Sequence, residues 1–205
     1  MRIDMLNLLD HEVRAMLAAI DVYHPMGPRD YFLLVFLCHT GLRVSELTAL
    51  NVSDVWHDGE PRRELWVRAE TAKGKKSRIV PLNVLAQKAV SKMIQFNRRR
   101  GLSVDNTAPL FQTKRHLRLT PRTIQWFVAN LREKAGLDVK AVPHTFRHAF
   151  GSHLLANGAD LESVRQLLGH EYLASTQIYT HLAPGALEEH LRRMHPRFQS
   201  GPAPS

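Results

Sequence analysis

Tyr179 stands near the end of a 205-residue chain, downstream of a spaced set of cationic and imidazole side chains. Arg43 lies in TGLRVSEL, Lys73 in TAKGKKSR, His144 and Arg147 in PHTFRHAFGSHL, and His170 in LLGHEYLASTQIYTHL. Together they supply a phenol, two guanidiniums, an ammonium and two imidazoles. Breaking a phosphodiester requires an oxygen held in line, positive charge on the non-bridging oxygens and a proton for the leaving oxygen. A tyrosine oxygen can attack phosphorus and conserve the bond as a phosphotyrosine ester, which a 5′-hydroxyl then reverses. Such a cycle calls for no ATP, metal or other cofactor.

Each residue also has a plainer reading. Arg43 and Arg147 suit a phosphate clamp, because arginine is a permanently charged fork that binds two oxygens at once. Either one alone is more simply a surface charge. Arg43 follows Gly41 at a helix start, where backbone N–H groups also favour anions, and Arg147 lies three residues after His144, on the same helical face. His144 and His170 can donate to a phosphate or shuttle a proton. His144, His148 and His153 have spacing that a metal site could use. The HTFRH stretch holds no carboxylate, the chain has one cysteine, and Arg147 between two of the histidines repels a cation. His148, His153 and His181 are therefore assigned to packing or helix-end hydrogen bonds. Lys73 falls in a turn that also carries Lys75, Lys76 and Arg78, any of which could deliver a proton. Glu46 is read as a carboxylate that orients an arginine or histidine, and Asp160 as a helix cap.

Taken in order, with GLRVSEL, LLGH and YTH around them, these residues resemble the catalytic domain of the tyrosine recombinase (phage-type integrase) family, over about Leu8 to His195. The resemblance implies a mainly α fold with a small antiparallel β-sheet. It implies cleavage and rejoining of DNA strands through a 3′-phosphotyrosine, with Arg43, Lys73, His144, Arg147, His170 and Tyr179 as the catalytic set. It favours Lys73 within its turn, because the family lysine lies shortly before the strand that RIVPL matches, and His170 keeps the family spacing to the tyrosine. A topoisomerase-like nicking and closing activity and a non-catalytic DNA-binding protein are the competing readings.

The elements that must position this set are mostly helical. Asp10 caps a first helix with Val13, Leu17 and Ile20 at helical spacing. Pro28 to Thr40 is apolar nearly all round, so it is central, and Gly41 ends it. Arg43 to Leu50 forms a short third helix. Val52 to Pro81 is rich in strand formers, Val55 among them, with Asp58-Gly59 and Lys73-Gly74 as turn pairs, which predicts about three antiparallel strands. Helices follow over Val84–Asn97, Thr120–Ala135, Pro143–Ala156 and Leu161–Leu168, then a short one carrying Thr176 to Tyr179 and a last one from Pro184 to Met194.

A net charge of +9 favours a polyanionic partner, here double-stranded DNA. Lys75, Lys76, Arg78, Lys114, Arg115, Arg118, Arg122 and Lys140 are the candidates for DNA contact, mostly to phosphate. Arg98, Arg99 and Arg100 are read as helix-end charges instead. The one cysteine, Cys38, excludes an internal disulfide, and no apolar run is long enough for a bilayer, so the expectation is a cytoplasmic protein. Residues 1–198 are expected to form one catalytic domain without the family's usual N-terminal DNA-binding domain, and 199–205 a disordered tail. By resemblance, the helix from Pro184 docks on a neighbouring protomer in a tetramer on DNA. An accessory protein is a further expected partner.

Overall fold

The computed structural model describes residues 10–69, 77–138 and 141–169. The chain divides into two compact units, Met1–Phe150 and Gly151–Ser205. In the first, α1 (Asp10–Ala18) precedes α2 (Gly27–Thr40), which carries Leu33, Leu34, Phe36 and Leu37 in the core. Pro28 sits in its first turn, where a missing N–H costs nothing, and Gly41 closes it at φ 59°, the left-handed region. α5 (Val84–Arg99) makes the most extensive helix packing against α2, through a face that buries Ala86, Ala89, Val90, Met93 and Ile94. Asn83 starts α5 by accepting from the Ala86 N–H at 2.9 Å. α6 (Pro121–Lys134) is opened by Thr120, whose hydroxyl accepts from the Thr123 N–H, and it buries Ile124, Val128 and Leu131.

Between α2 and α5 lie α3 (Val44–Ala49), α4 (Val52–Val55) and four short strands, β1 (Trp56–His57), β2 (Glu60–Pro61), β3 (Glu64–Val67) and β4 (Arg78–Pro81). β1 pairs with β2 and β3 with β4, so two antiparallel hairpins replace the expected single sheet of about three strands. Asp58 and Gly59, both at positive φ, turn the first hairpin as the sequence suggests. Val55, read as a strand former, lies instead at the end of the helix Val52–Val55. The Asp54 carboxylate accepts from the Asn51 N–H at 2.8 Å, and this local cap outweighs the valines' strand preference. In β3 and β4, Leu65, Val67 and Val80 face the core while Trp66 and Ile79, paired across the ladder, face outward.

α7 (Pro143–Ala156) runs across the boundary between the units. In the second unit, Asp160 caps α8 (Leu161–Leu168) by accepting from the Ser163 N–H at 2.8 Å, and Gly169 closes it at φ 62°. Val164, Leu167 and Leu168 form its buried stripe. The expected helices around Tyr179 and from Pro184 lie outside the described residues, as do the Lys73-Gly74 turn and the tail 199–205.

Candidate active site

Arg43 and Arg147 meet at the α2–α3 turn. Gly41 reverses the chain, and its carbonyl accepts from Arg147 Nη1 at 2.6 Å. Two residues on, Arg43 takes the N-cap position of α3 in extended conformation. Its backbone N–H donates to Glu46 Oε2 and its Nη1 to Glu46 Oε1, both at 2.8 Å. The i,i+3 spacing of RVSE makes this possible, because an N3 glutamate reaches back to the cap. Arg78, at the start of β4, approaches the same carboxylate as a fork, Nη1 to Oε1 and Nη2 to Oε2, each at 2.7 Å.

Glu46 therefore accepts from two arginines while its side chain is only 1% exposed. Burial alone would raise its carboxyl pKa. The hydrogen bonds and charge of Arg78, then the hydrogen bonds of Arg43, outweigh burial and hold it below the ordinary glutamate range. The carboxylate is thus charged and acts as a bracket for two guanidiniums. Arg147 is buried, at 1% exposure, on the helix that also presents His144. His144 Nε2 lies 2.7 Å from His148 Nε2, the rings perpendicular at a centroid distance of 4.3 Å. Burial lowers the His148 pKa, followed by the charges of His144 and Arg147.

The structure thus brings Arg43 and Arg147 to one turn and adds Glu46 and Arg78. Lys73, Lys75, Lys76, Lys140, His170 and Tyr179 lie outside the described residues. Lys73, Lys75 and Lys76 belong to the β3–β4 connection, whose base is fastened to α3 by the Arg78–Glu46 pair.

Two of the candidates for DNA contact make their described hydrogen bonds within the protein. Arg78 has a side chain 8% exposed and is ion-paired inside the protein. Arg118 is half-buried. Its Nη1 donates to the carbonyls of Thr48 and Leu50 at 2.8 and 2.9 Å, and its Nη2 to Asn51 Oδ1 at 2.5 Å. It caps the C-terminal end of α3, where helix carbonyls lack partners. Nothing local in HLRLT signals this, since the partners lie about seventy residues earlier. Lys114, Arg115 and Arg122 are exposed, as expected. Lys114 and Arg115 line a cleft of about 590 Å³ together with Arg29, Leu117 and Trp126. Among the described residues no group of His, Cys, Asp or Glu is arranged to hold a metal ion, and no helix is long and apolar enough to cross a membrane.

The described residues form mainly helices with two antiparallel hairpins, and a buried carboxylate after the α2–α3 turn holds two arginines. Residues 7–185 match the model of the phage integrase family, and the chain belongs to that family. It is 39% identical over 192 residues to tyrosine recombinase XerC of Oceanobacillus iheyensis, covering 93% of this chain and 61% of that protein. It is 39% identical over 190 residues to tyrosine recombinase XerD of Corynebacterium glutamicum, covering 91% of this chain and 60% of the relative. The chain thus spans about three-fifths of the length of these curated relatives. Among solved structures it is similar to XerA recombinase, with a TM-score of 0.70, 33% identity, and coverage of 95% of this chain and 65% of the other. XerH site-specific recombinase bound to difH substrate shares the fold at a TM-score of 0.67 and 23% identity, over 86% of this chain and 50% of the other. The expected recombinase fold is thereby established.

Proposed function

We propose that the chain is the catalytic part of a site-specific DNA recombinase that works through a 3′-phosphotyrosine. The observation that carries this is the α2–α3 turn. Glu46 brackets Arg43 there, and Gly41 receives Arg147, so two guanidiniums sequence-distant by about a hundred residues serve one place in a chain of this family. Arg43 and Arg147 offset the charge of the pentacovalent phosphorus. The Tyr179 oxygen forms the bond to phosphorus as its proton leaves, and the P–O bond to the 5′-oxygen breaks. Lys73 supplies the proton that makes the 5′-hydroxyl. His144 and His170 hydrogen-bond the phosphate or carry the tyrosine proton. Attack by a 5′-hydroxyl from a partner strand reverses each step and exchanges the strands, with no cofactor or metal.

The partner is double-stranded DNA. Relatives of this type include a recombinase solved with its substrate, and the +9 chain presents exposed Lys114, Arg115 and Arg122. Lys75, Lys76 and Lys140 complete the proposed phosphate contacts. The protein acts in the cytoplasm, assembles as a tetramer on DNA through the helix from Pro184, and works with an accessory protein. Deleting residues 184–205 tests the assembly step: the account expects loss of DNA-dependent higher-order complexes, and unchanged assembly contradicts it. Chelator tests the metal-free chemistry, since covalent-adduct formation persists in its presence if the reading holds.

A further inference from the structure

Glu46 holds two guanidiniums that differ in access. Its own side chain is 1% exposed, that of Arg43 18% and that of Arg78 8%. Arg43 donates to it from the backbone N–H and from Nη1, both at 2.8 Å. Arg78 donates from both Nη groups at 2.7 Å, one to each oxygen, as a fork that faces the carboxylate. A carboxylate that fixes an arginine also cancels its charge. Glu46 alone would make Arg43 half of a neutral ion pair, which attracts a phosphate far less than a lone guanidinium does. With Arg78 present, one negative and two positive charges leave one positive charge over. Arg68 and Asp54, beside Glu46, pair with each other at 3.2 Å and do not alter that count.

We propose that Arg78 is a positioning residue for strand cleavage: by giving Glu46 a second cation, it lets that carboxylate orient Arg43 while the trio keeps a net positive charge for the scissile phosphate. Arg78 acts through Glu46, and the role needs no contact between Arg78 and a reacting atom. The effect on cleavage rests on the functional reading above, whereas the charge balance stands on the four hydrogen bonds. A fastener that only ties β4 to α3 would need donors and no charge, since a glutamine amide also donates to a carboxylate. The two roles therefore separate by charge. Arg147, which reaches the turn through the Gly41 carbonyl, is the same in every variant below.

The experiment has a kinetic arm and a spectroscopic arm, both on the full chain. In the first, a pool of nicked duplexes with randomised arms, at saturating concentration, traps the covalent adduct. Arg78→Gln removes the charge, keeps a donor, and should slow trapping roughly tenfold. Arg78→Lys keeps the charge and should restore most of the rate. The decisive variant combines Arg78→Gln with Glu46→Gln, so that no carboxylate cancels Arg43. It should trap faster than Arg78→Gln alone, although it has lost more of the bracket. Arg78→Met replaces the glutamine variant if that one does not fold. A double variant no faster than the single one, lysine no better than glutamine, or Arg78→Gln at the wild-type rate overturns the proposal. In the second arm, carbon NMR of labelled glutamate carboxyls follows Glu46, assigned by loss of its signal in Glu46→Gln. Arg78→Gln should move the Glu46 titration to higher pH, and Arg78→Lys should leave it nearer the wild-type position. A titration indifferent to Arg78→Gln overturns the charge balance. If the wild-type chain traps no adduct while the carboxyl signals behave as expected, the functional reading fails and takes the effect on cleavage with it.

Discussion

Glu46 illustrates how one side chain can organise two charges far apart in sequence. Its carboxylate accepts from the Arg43 backbone, the Arg43 guanidinium and both arms of Arg78. Replacing it by glutamine removes the carboxylate charge that both guanidiniums share, which should cost about 3 kcal/mol in denaturant unfolding. A loss under about 0.5 kcal/mol would show that the bracket is not structural. The pH dependence has a definite sign. The folded Glu46 carboxyl titrates below its unfolded counterpart, so the unfolded chain binds more protons in between. The stability contributed by Glu46 is complete above the ordinary glutamate range and is lost as pH falls through the lower folded value. His148 acts in the same direction at higher pH. Its folded pKa is lowered, so its contribution is present above the ordinary histidine range and declines as pH drops through it. Melting temperature followed down in pH should therefore fall in two stages, the first removed by His148→Gln and the second by Glu46→Gln. A profile unchanged by either substitution contradicts the assignment.

Among the elements, the α3 end and the β3–β4 base depend on arginines that sequence reading placed at the surface. Arg118→Ala removes three hydrogen bonds from Thr48, Leu50 and Asn51 and should lower stability by about 2 to 3 kcal/mol. Arg115→Ala and Lys114→Ala should leave stability within about 0.5 kcal/mol, yet each should reduce the salt dependence of DNA affinity by about one counterion. Salt titrations that separate Arg118 from Lys114 and Arg115 in the reverse sense would overturn this division. The helices were legible because their signals are local: Pro28 and Gly41 around α2, Thr120-Pro121 before α6, Asp160 before α8. Arg43 with Glu46 was legible for the same reason, as an i,i+3 pair. Arg78 and Arg118 were not, since their partners lie tens of residues away and any exposed arginine has the same local pattern. Val55 misled because valine preference and the Asn51–Asp54 cap point to different structures, and the cap prevails in so short a segment.

At the scale of the whole molecule, Arg147 is 1% exposed, so a phosphate can reach its guanidinium only after the groups that cover it move aside. Binding and rearrangement should therefore be separable. Amide hydrogen exchange in residues 143–150 should change when DNA binds, and an unaltered pattern alongside efficient cleavage would contradict the need for opening. The affinity of the chain for DNA should fall steeply between low and physiological salt, with a slope that counts its phosphate contacts.

The most direct measurement is covalent trapping. A suicide duplex, nicked near the cleavage position and carrying the end sequences of the host element, is incubated with the chain in chelator and run on a denaturing gel beside Tyr179→Phe. The account predicts a protein–DNA adduct that is present with the wild-type chain and absent with Tyr179→Phe. An adduct that survives the substitution, or DNA binding with no adduct across several candidate sites, would contradict it.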